Sequence, residues 1–172
     1  MNQLKRFCII GVIFTSILGI ISHFVYEWSG NNFFVGLFFP VNESTWEHMK
    51  LIFFPMLIYS LVAKKYVSRK CPCILNAMFI GIIIGLISIP VIFYTYSGIL
   101  GFNVAWLNIA IYIISVIIAY VAVYRIGVNC CSKSGKVSRA RALRITMYLL
   151  LIAFMVFTVY PPKIGLFENP LI

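Results

Sequence analysis

The sequence predicts an all-α integral membrane protein, a single domain over residues 1–172 that forms a bundle of about five transmembrane helices. Composition is the first observation behind this prediction. Of the residues, 62% are hydrophobic and 10% are charged, the mean hydropathy is +1.01, and the chain has no aspartate. So few polar side chains cannot cover the surface of a soluble globular protein.

The second observation is the length of the apolar stretches. Five of them meet or approach the ~20 residues that a helix needs to cross a hydrocarbon core of ~30 Å. They lie near residues 7–28, 44–63, 74–95, 103–124 and 143–160. Runs of this length without period-2 alternation favour helices over the strands of a membrane barrel. The phenylalanine-rich stretch 33–39 is too short to span, so we expect an interfacial or re-entrant segment there.

The third observation is the distribution of charge. Twelve of the fourteen basic residues lie on alternate connections: Lys5, Arg6, Lys64, Lys65, Arg69, Lys70, Arg125, Lys133, Lys136, Arg139, Arg141 and Arg144. The four acids, Glu27, Glu43, Glu47 and Glu168, fall on the other side. This asymmetry predicts a cytoplasmic amino terminus and an outside carboxyl terminus. The net charge of +10 therefore reflects topology rather than a nucleic-acid partner, and the expected partner is the lipid bilayer.

The length of the second apolar stretch indicates where its helix begins. The 13 residues from Leu51 to Ala63 make roughly 20 Å of helix at ~1.5 Å each, which is too short to cross the membrane. Ser44 and Glu47 have the spacing of a capping box, which predicts a helix that begins at Ser44. Glu47 and His48 would then share one broad face in the outer leaflet. Lys50 is expected to point elsewhere or to snorkel outward.

Ionisable groups at that depth are costly unless they face the bundle and are paired, so they are candidates for function. The candidate binding cluster consists of His23, Glu27, Glu43, Glu47, His48 and Asn108. Within it, His23, His48 and Glu47 are the candidate metal ligands, and Zn²⁺ or another divalent cation is the candidate cofactor. In the structural alternative, Glu47 only completes the helix cap and His48 forms a hydrogen bond at the interface.

The five cysteines are Cys8, Cys71, Cys73, Cys130 and Cys131, and all map to the predicted cytoplasmic end. Because the cytoplasm is reducing, structural disulfides are not expected among them. The C-x-C and C-C pairs could supply thiolates to a soft metal, although neither has the C-x-x-C spacing usual in zinc sites.

Three blocks of sequence, residues 23–30, 40–50 and 160–170, carry a resemblance to a known family. They read HFVYEWSG, PVNESTWEHMK and YPPKIGLFENP. In these blocks and their spacing the chain resembles a family of small bacterial polytopic membrane proteins of unknown function. The resemblance implies a multi-pass protein of the bacterial inner membrane and implies no activity.

Two hypotheses of function remain open, and the sequence does not decide whether the protein is an enzyme. In the first, it binds or transports an ion or small solute through an outward-facing carboxylate and histidine site. Five spans lack the even inverted repeat of many transporters, so a homo-oligomer or a larger membrane complex would be needed. In the second, it is a metal-dependent hydrolase or transferase that acts on lipid at the outer leaflet. No H-E-x-x-H motif is present.

Overall fold

The computed structural model describes residues 2–132 and 140–170, without the side chains of residues 130–132. This part of the chain forms helices and no strand. The helices are α1 (Asn2–Trp28), α2 (Phe33–Gly36), α3 (Thr45–Tyr66), α4 (Ile74–Leu100), α5 (Ala105–Ser132) and α6 (Ala140–Val159), followed by a 3₁₀ turn at Gly165–Phe167. The prediction of an all-α chain is confirmed. The basic residues at positions 133, 136 and 139 lie outside the described residues.

Four of the described helices, α1, α4, α5 and α6, are long and apolar enough to cross a membrane, judged by length and composition. The remaining long helix, α3, has 22 residues but is not among the four. Glu47 and Lys50 near its start, and Lys64 and Lys65 in its last turn, lower its hydropathy. The predicted second span, residues 44–63, is therefore present as a helix, and its charges set it apart from the other four.

The centre of the bundle is the packing of α4 against α5, with α3 and α1 covering its two sides. Glycines let α4 approach α5 closely, because a Cβ at Gly81 would lie 2.9 Å from the carbonyl oxygen of Ala119. Helix α6 is more peripheral, and Met147 and Phe154 are the buried residues on it. These contacts hold the ends of α1, α3 and α5 together at the end of the bundle where α3 begins.

The start of α3 follows the predicted cap. Ser44 is the N-cap residue, and its hydroxyl accepts a hydrogen bond from the Glu47 N–H at 3.3 Å. The reciprocal half of a capping box is absent from the hydrogen bonds of this cap: the Ser44 N–H donates to Asn42 Oδ1 at 2.9 Å instead. The Glu47 carboxylate is thereby available for other partners.

The segment before α3 contains the four-residue helix α2, which is too short to span a membrane. Asn32 caps it, with its side-chain oxygen accepting from the Phe34 and Val35 N–H groups. Phe33 and Phe34 project outward and are exposed. The interfacial or re-entrant position expected for residues 33–39 stays a prediction.

The cysteines depart from the expectation of reduced thiols. Cys71 and Cys73 are both disulfide-bonded, and Cys8 is a free, buried thiol. The connection between α3 and α4 packs against α5 at this end of the bundle: Cys71 Sγ lies 3.7 Å from the carbonyl oxygen of Gly127. The side chains of Cys130 and Cys131 lie outside the described part.

Candidate metal centre

Three titratable side chains from separate parts of the chain meet where α1 ends and α3 begins. His23 lies near the end of α1, His48 lies in the first turn of α3, and Glu43 lies on the loop before it. Glu43 Oε1 is 3.5 Å from His23 Nε2, and Glu43 Oε2 is 3.5 Å from His48 Nε2. The two imidazole centroids are 5.4 Å apart. We call these three residues the histidine–glutamate cluster.

Hydrogen bonding determines which atoms the cluster offers. His48 Nδ1 lies 3.0 Å from the carbonyl oxygen of Ser44. Because a carbonyl oxygen only accepts, Nδ1 carries the hydrogen, and a neutral His48 presents the lone pair of Nε2 to the cluster. The long hydrogen bond with His23 holds the pKa of Glu43 below its ordinary value, and the charges of both histidines add to this effect. Glu43 is therefore a carboxylate.

The spacing of these atoms leaves room for a small cation among them. The two 3.5 Å distances, which involve different oxygens of Glu43, are within the range of an ion pair but exceed the ~2.7–2.9 Å of a charge-assisted N–H···O hydrogen bond. Nitrogen and oxygen ligands about 2.0–2.2 Å from a tetrahedral Zn²⁺ lie roughly 3.3–3.6 Å apart. One ligand atom from each residue lies within 4.8 Å of the other two. Two histidines and a carboxylate are a ligand set that Zn²⁺ accepts, and they leave a fourth position for another ligand.

A cavity of about 400 Å³ adjoins the cluster, between α1, α3 and α5. The three cluster residues, with Asn108 and Tyr112, form its polar lining. Its apolar wall consists of Ile20, Phe24, Leu51, Ala105 and Ile109. The side chains of His23 and His48 are 30% and 21% exposed, so the cluster can be reached from outside.

A second polar group, the ion pair of Glu47 and Lys50, lies beside the cluster on α3 and is buried rather than exposed. Lys50 Nζ lies 2.7 Å from Glu47 Oε2, and the side chains of both residues are almost wholly buried. The ammonium group also donates to the carbonyl oxygens of Gly36 at 2.9 Å and Phe39 at 3.3 Å, and to the hydroxyl of Thr158 at 2.7 Å. All three ammonium hydrogens therefore have acceptors.

This buried ion pair corrects the expectation for Lys50, which neither points away from Glu47 nor snorkels outward. The reason is the segment around α2, whose terminal carbonyl oxygens lie against α3 and need a donor. The Glu47 carboxylate accepts a hydrogen bond from the Val41 N–H at 3.0 Å. Both of these contacts are to Oε2, and Oε1 accepts a hydrogen bond from the Thr158 hydroxyl at 3.2 Å. In the geometry, Glu43 occupies the place that the predicted ligand set of His23, His48 and Glu47 gave to Glu47.

Glu27 and Asn108, the other members of the predicted cluster, lie at its edge. Glu27 is exposed, one turn from His23, and interacts with it through its charge. Asn108 lines the cavity, and its side-chain oxygen lies 2.7 Å from the hydroxyl of Tyr96. The structure thus brings together His23, Glu43, His48 and Asn108 around one cavity, with Glu27 outside it.

The carboxyl-terminal tail adds residues that the sequence did not single out. The indole of Trp46 packs against the rings of Phe154 and Phe167, with centroids 4.7 and 4.9 Å apart, so the 3₁₀ turn rests on α3. Asn169 then accepts a hydrogen bond from the Glu43 N–H at 3.1 Å. The sequence placed Glu168 on the same side as the other acids and residues 160–170 in one of the resemblance blocks, but nothing in it indicated the partner of Asn169.

Comparison with known proteins yields one match. A family model described as a family of unknown function (DUF6512) covers residues 1–171. Neither a curated protein nor a solved structure matches the chain. The match extends over essentially the whole length, so the cluster, the cavity and the tail all lie inside the family's region.

Proposed function

The chain belongs to a family of unknown function (DUF6512), and we propose from its site that it binds a divalent transition-metal ion, Zn²⁺ being the best fit. The observation that carries the proposal is the convergence of three donors from three segments: His23, Glu43 and His48. Two neutral imidazoles and one carboxylate suit Zn²⁺ in charge and in softness. Harder cations such as Mg²⁺ and Ca²⁺ prefer oxygen ligands alone.

We favour binding of the ion at one end of the bundle over its passage through a single chain. Beneath the cavity, Ile52, Met56, Ile82 and Val116 are 0% exposed and fill the interior. Transport would therefore need a second copy or a larger membrane complex. The charge asymmetry supports a site that faces outward in a multi-pass protein of the bacterial inner membrane.

The test is metal binding by purified full-length protein in detergent. We expect about one Zn²⁺ per chain, measured by elemental analysis after dialysis, and visible absorption bands of tetrahedral Co²⁺ when cobalt replaces zinc. His23→Ala and His48→Ala should each abolish both signals. Glu168→Gln, which changes an exposed acid outside the cluster, should leave them unchanged. Wild-type protein that retains no zinc, or histidine variants that retain it fully, would refute the proposal.

A metal-dependent hydrolase or transferase that acts on lipid is the second candidate. One observation favours it: three protein ligands leave a fourth position, the arrangement of catalytic zinc sites, and here a cavity adjoins the cluster. Hydrolysis would need a glutamate as general base for a metal-bound water, and Glu47 is a poor candidate because it is engaged by Lys50. Release of a product from a labelled phospholipid by zinc-loaded protein, absent in His48→Ala, would establish this second function.

A further inference from the structure

The cavity beside the cluster has a direction. Ile20 on α1 lies three positions deeper in the bundle than His23, and Leu51 on α3 lies three positions deeper than His48, whereas Phe24 and Ala105 line the cavity at its outer end. Tyr112 lies one turn below Asn108 on α5 and closes the floor, where its hydroxyl donates to the carbonyl oxygen of Thr15 at 2.7 Å. The cluster therefore lies towards the end of the bundle, and the wall of Ile20 and Leu51 continues from it towards the middle, which is the order in which a lipid of one leaflet places its headgroup and its acyl chains.

The cavity also opens sideways. Ile20, Phe24 and Ile109 line it and are 45%, 43% and 61% exposed, so its rim between α1 and α5 forms part of the apolar flank of the bundle. In a bilayer this flank faces hydrocarbon, and a ligand could enter from the membrane without crossing water. Its volume of about 400 Å³ lies within the ~300–1,000 Å³ of small-molecule sites.

We propose that the cavity holds the phosphate and the upper part of one acyl chain of an outer-leaflet phospholipid, with that chain against the wall of Ile20, Leu51 and Ile109, a phosphate oxygen on the ion held by the cluster, and the rest of the lipid along the flank between α1 and α5. This inference rests on the proposed function. Two neutral histidines and one carboxylate leave a Zn²⁺ ion with a net charge of about +1, which attracts an anionic oxygen to the fourth position. The phosphate of a phospholipid carries that charge at the depth where the cluster lies. The amide of Asn108 lines the same cavity, held by Tyr96.

The proposal predicts a lipid that is retained only when both the ion and the phosphate are present. Full-length protein in detergent is titrated with phosphatidylglycerol, and bound lipid is counted by native mass spectrometry with and without Zn²⁺. Diacylglycerol with the same chains is the control ligand that lacks the phosphate. We expect one tightly held phosphatidylglycerol on the zinc form and binding about ten-fold weaker, or about 1.4 kcal/mol, without zinc or without the phosphate.

Matched substitutions on α5 locate the lipid. Ile109→Trp brings an indole into the cavity, whereas Ile114→Trp places the same group on the exposed flank away from it. We expect the first to weaken phosphatidylglycerol binding about ten-fold and the second to leave it unchanged, with one Zn²⁺ retained in both. Equal binding by the two variants, or equal binding of diacylglycerol, with zinc still bound, would overturn the lipid proposal alone. Wild-type protein without zinc would overturn the metal centre itself.

Discussion

Two polar groups lie side by side at the start of α3, and their surroundings give them different roles. In the buried ion pair, all three ammonium hydrogens of Lys50 have acceptors and both carboxylate oxygens of Glu47 have donors, supplied by the pair itself, by residues 36–41 and by Thr158. In the histidine–glutamate cluster, the Nε2 atom of each histidine lies 3.5 Å from an oxygen of Glu43, and all three side chains are partly or largely exposed. A network in which every donor has an acceptor stabilises the fold, whereas accessible lone pairs can bind a cation. The presence of a charge near the start of α3 does not by itself distinguish these two roles.

The largest expected effect comes from breaking the buried ion pair of Glu47 and Lys50. Glu47→Gln leaves the Lys50 ammonium buried without an anion, so we expect the free energy of unfolding to fall by about 3–5 kcal/mol, measured by denaturation in detergent micelles. The double variant Glu47→Gln/Lys50→Met removes both charges and should recover a large part of this loss. If the single variant is as stable as the wild type, the ion pair has no structural role.

The same substitution of glutamate by glutamine in the histidine–glutamate cluster should change stability little and metal affinity strongly. Glu43→Gln removes a ligand charge from a side chain that is 64% exposed, so stability should change by no more than about 0.5 kcal/mol. Zn²⁺ affinity, measured by competition with a chelator, should fall by more than the ~10–100-fold typical of changes outside the ligand shell. Retained affinity together with lost stability would reverse the roles that we assign to the two glutamates.

A smaller effect is expected from the tail. Asn169→Ala removes the acceptor for the Glu43 N–H, which holds the loop that presents the carboxylate. We expect Zn²⁺ affinity to fall about ten-fold, at the lower end of the range for residues that position a ligand. Glu168→Gln, on the adjacent exposed residue, is the control and should have no effect. An unchanged affinity in Asn169→Ala would mean that the tail does not position Glu43.

The smallest effect should come from Glu27, which acts on the cluster through its charge. Glu27→Gln should weaken Zn²⁺ binding about two- to five-fold, or ~0.4–1 kcal/mol, the range of exposed charge pairs. The difference should vanish in high salt, because exposed charges are screened. A larger loss that persists in salt would place Glu27 among the ligands and widen the cluster.

Local features of the fold followed from local sequence. The apolar runs predicted five long helices, and the S-x-x-E spacing predicted that α3 begins after Ser44, as it does. Such features depend on residues within one turn of each other. Boundaries were less accurate: α5 begins at Ala105 rather than near residue 103, and α1 extends back to Asn2. The chain before residue 7 carries charges that a hydropathy argument excludes from a span but a helix tolerates.

The contacts of the site were harder to predict, because they depend on which backbone atoms lie nearby. Helical geometry put Glu47 and His48 on one broad face, but in the structure Glu47 pairs with Lys50 and His48 lies beside Glu43. Helical geometry could not show that the carbonyl oxygens of Gly36 and Phe39 would lie against Lys50. Those carbonyls draw Lys50 inward and bring Glu47 with it, which leaves Glu43 beside the histidines. The contact of Asn169 could not be predicted for the same reason, since its partner is the backbone N–H of Glu43, which is far away in sequence.

The polar start of α3 also bears on how the chain enters a membrane. Helices α1, α4, α5 and α6 are apolar enough to partition into lipid by themselves, and α3 is not among them. A lone charged side chain costs up to ~2.5–3.5 kcal/mol at the centre of an inserting helix, and α3 carries both Glu47 and Lys50 in its first two turns. Besides Glu47, the acceptors of Lys50 come from the preceding α2 segment and from Thr158 on α6, which is synthesised after α3. During insertion, α3 is therefore expected to pack first against α1 and α2 and to reach its final position only after α6 has been made.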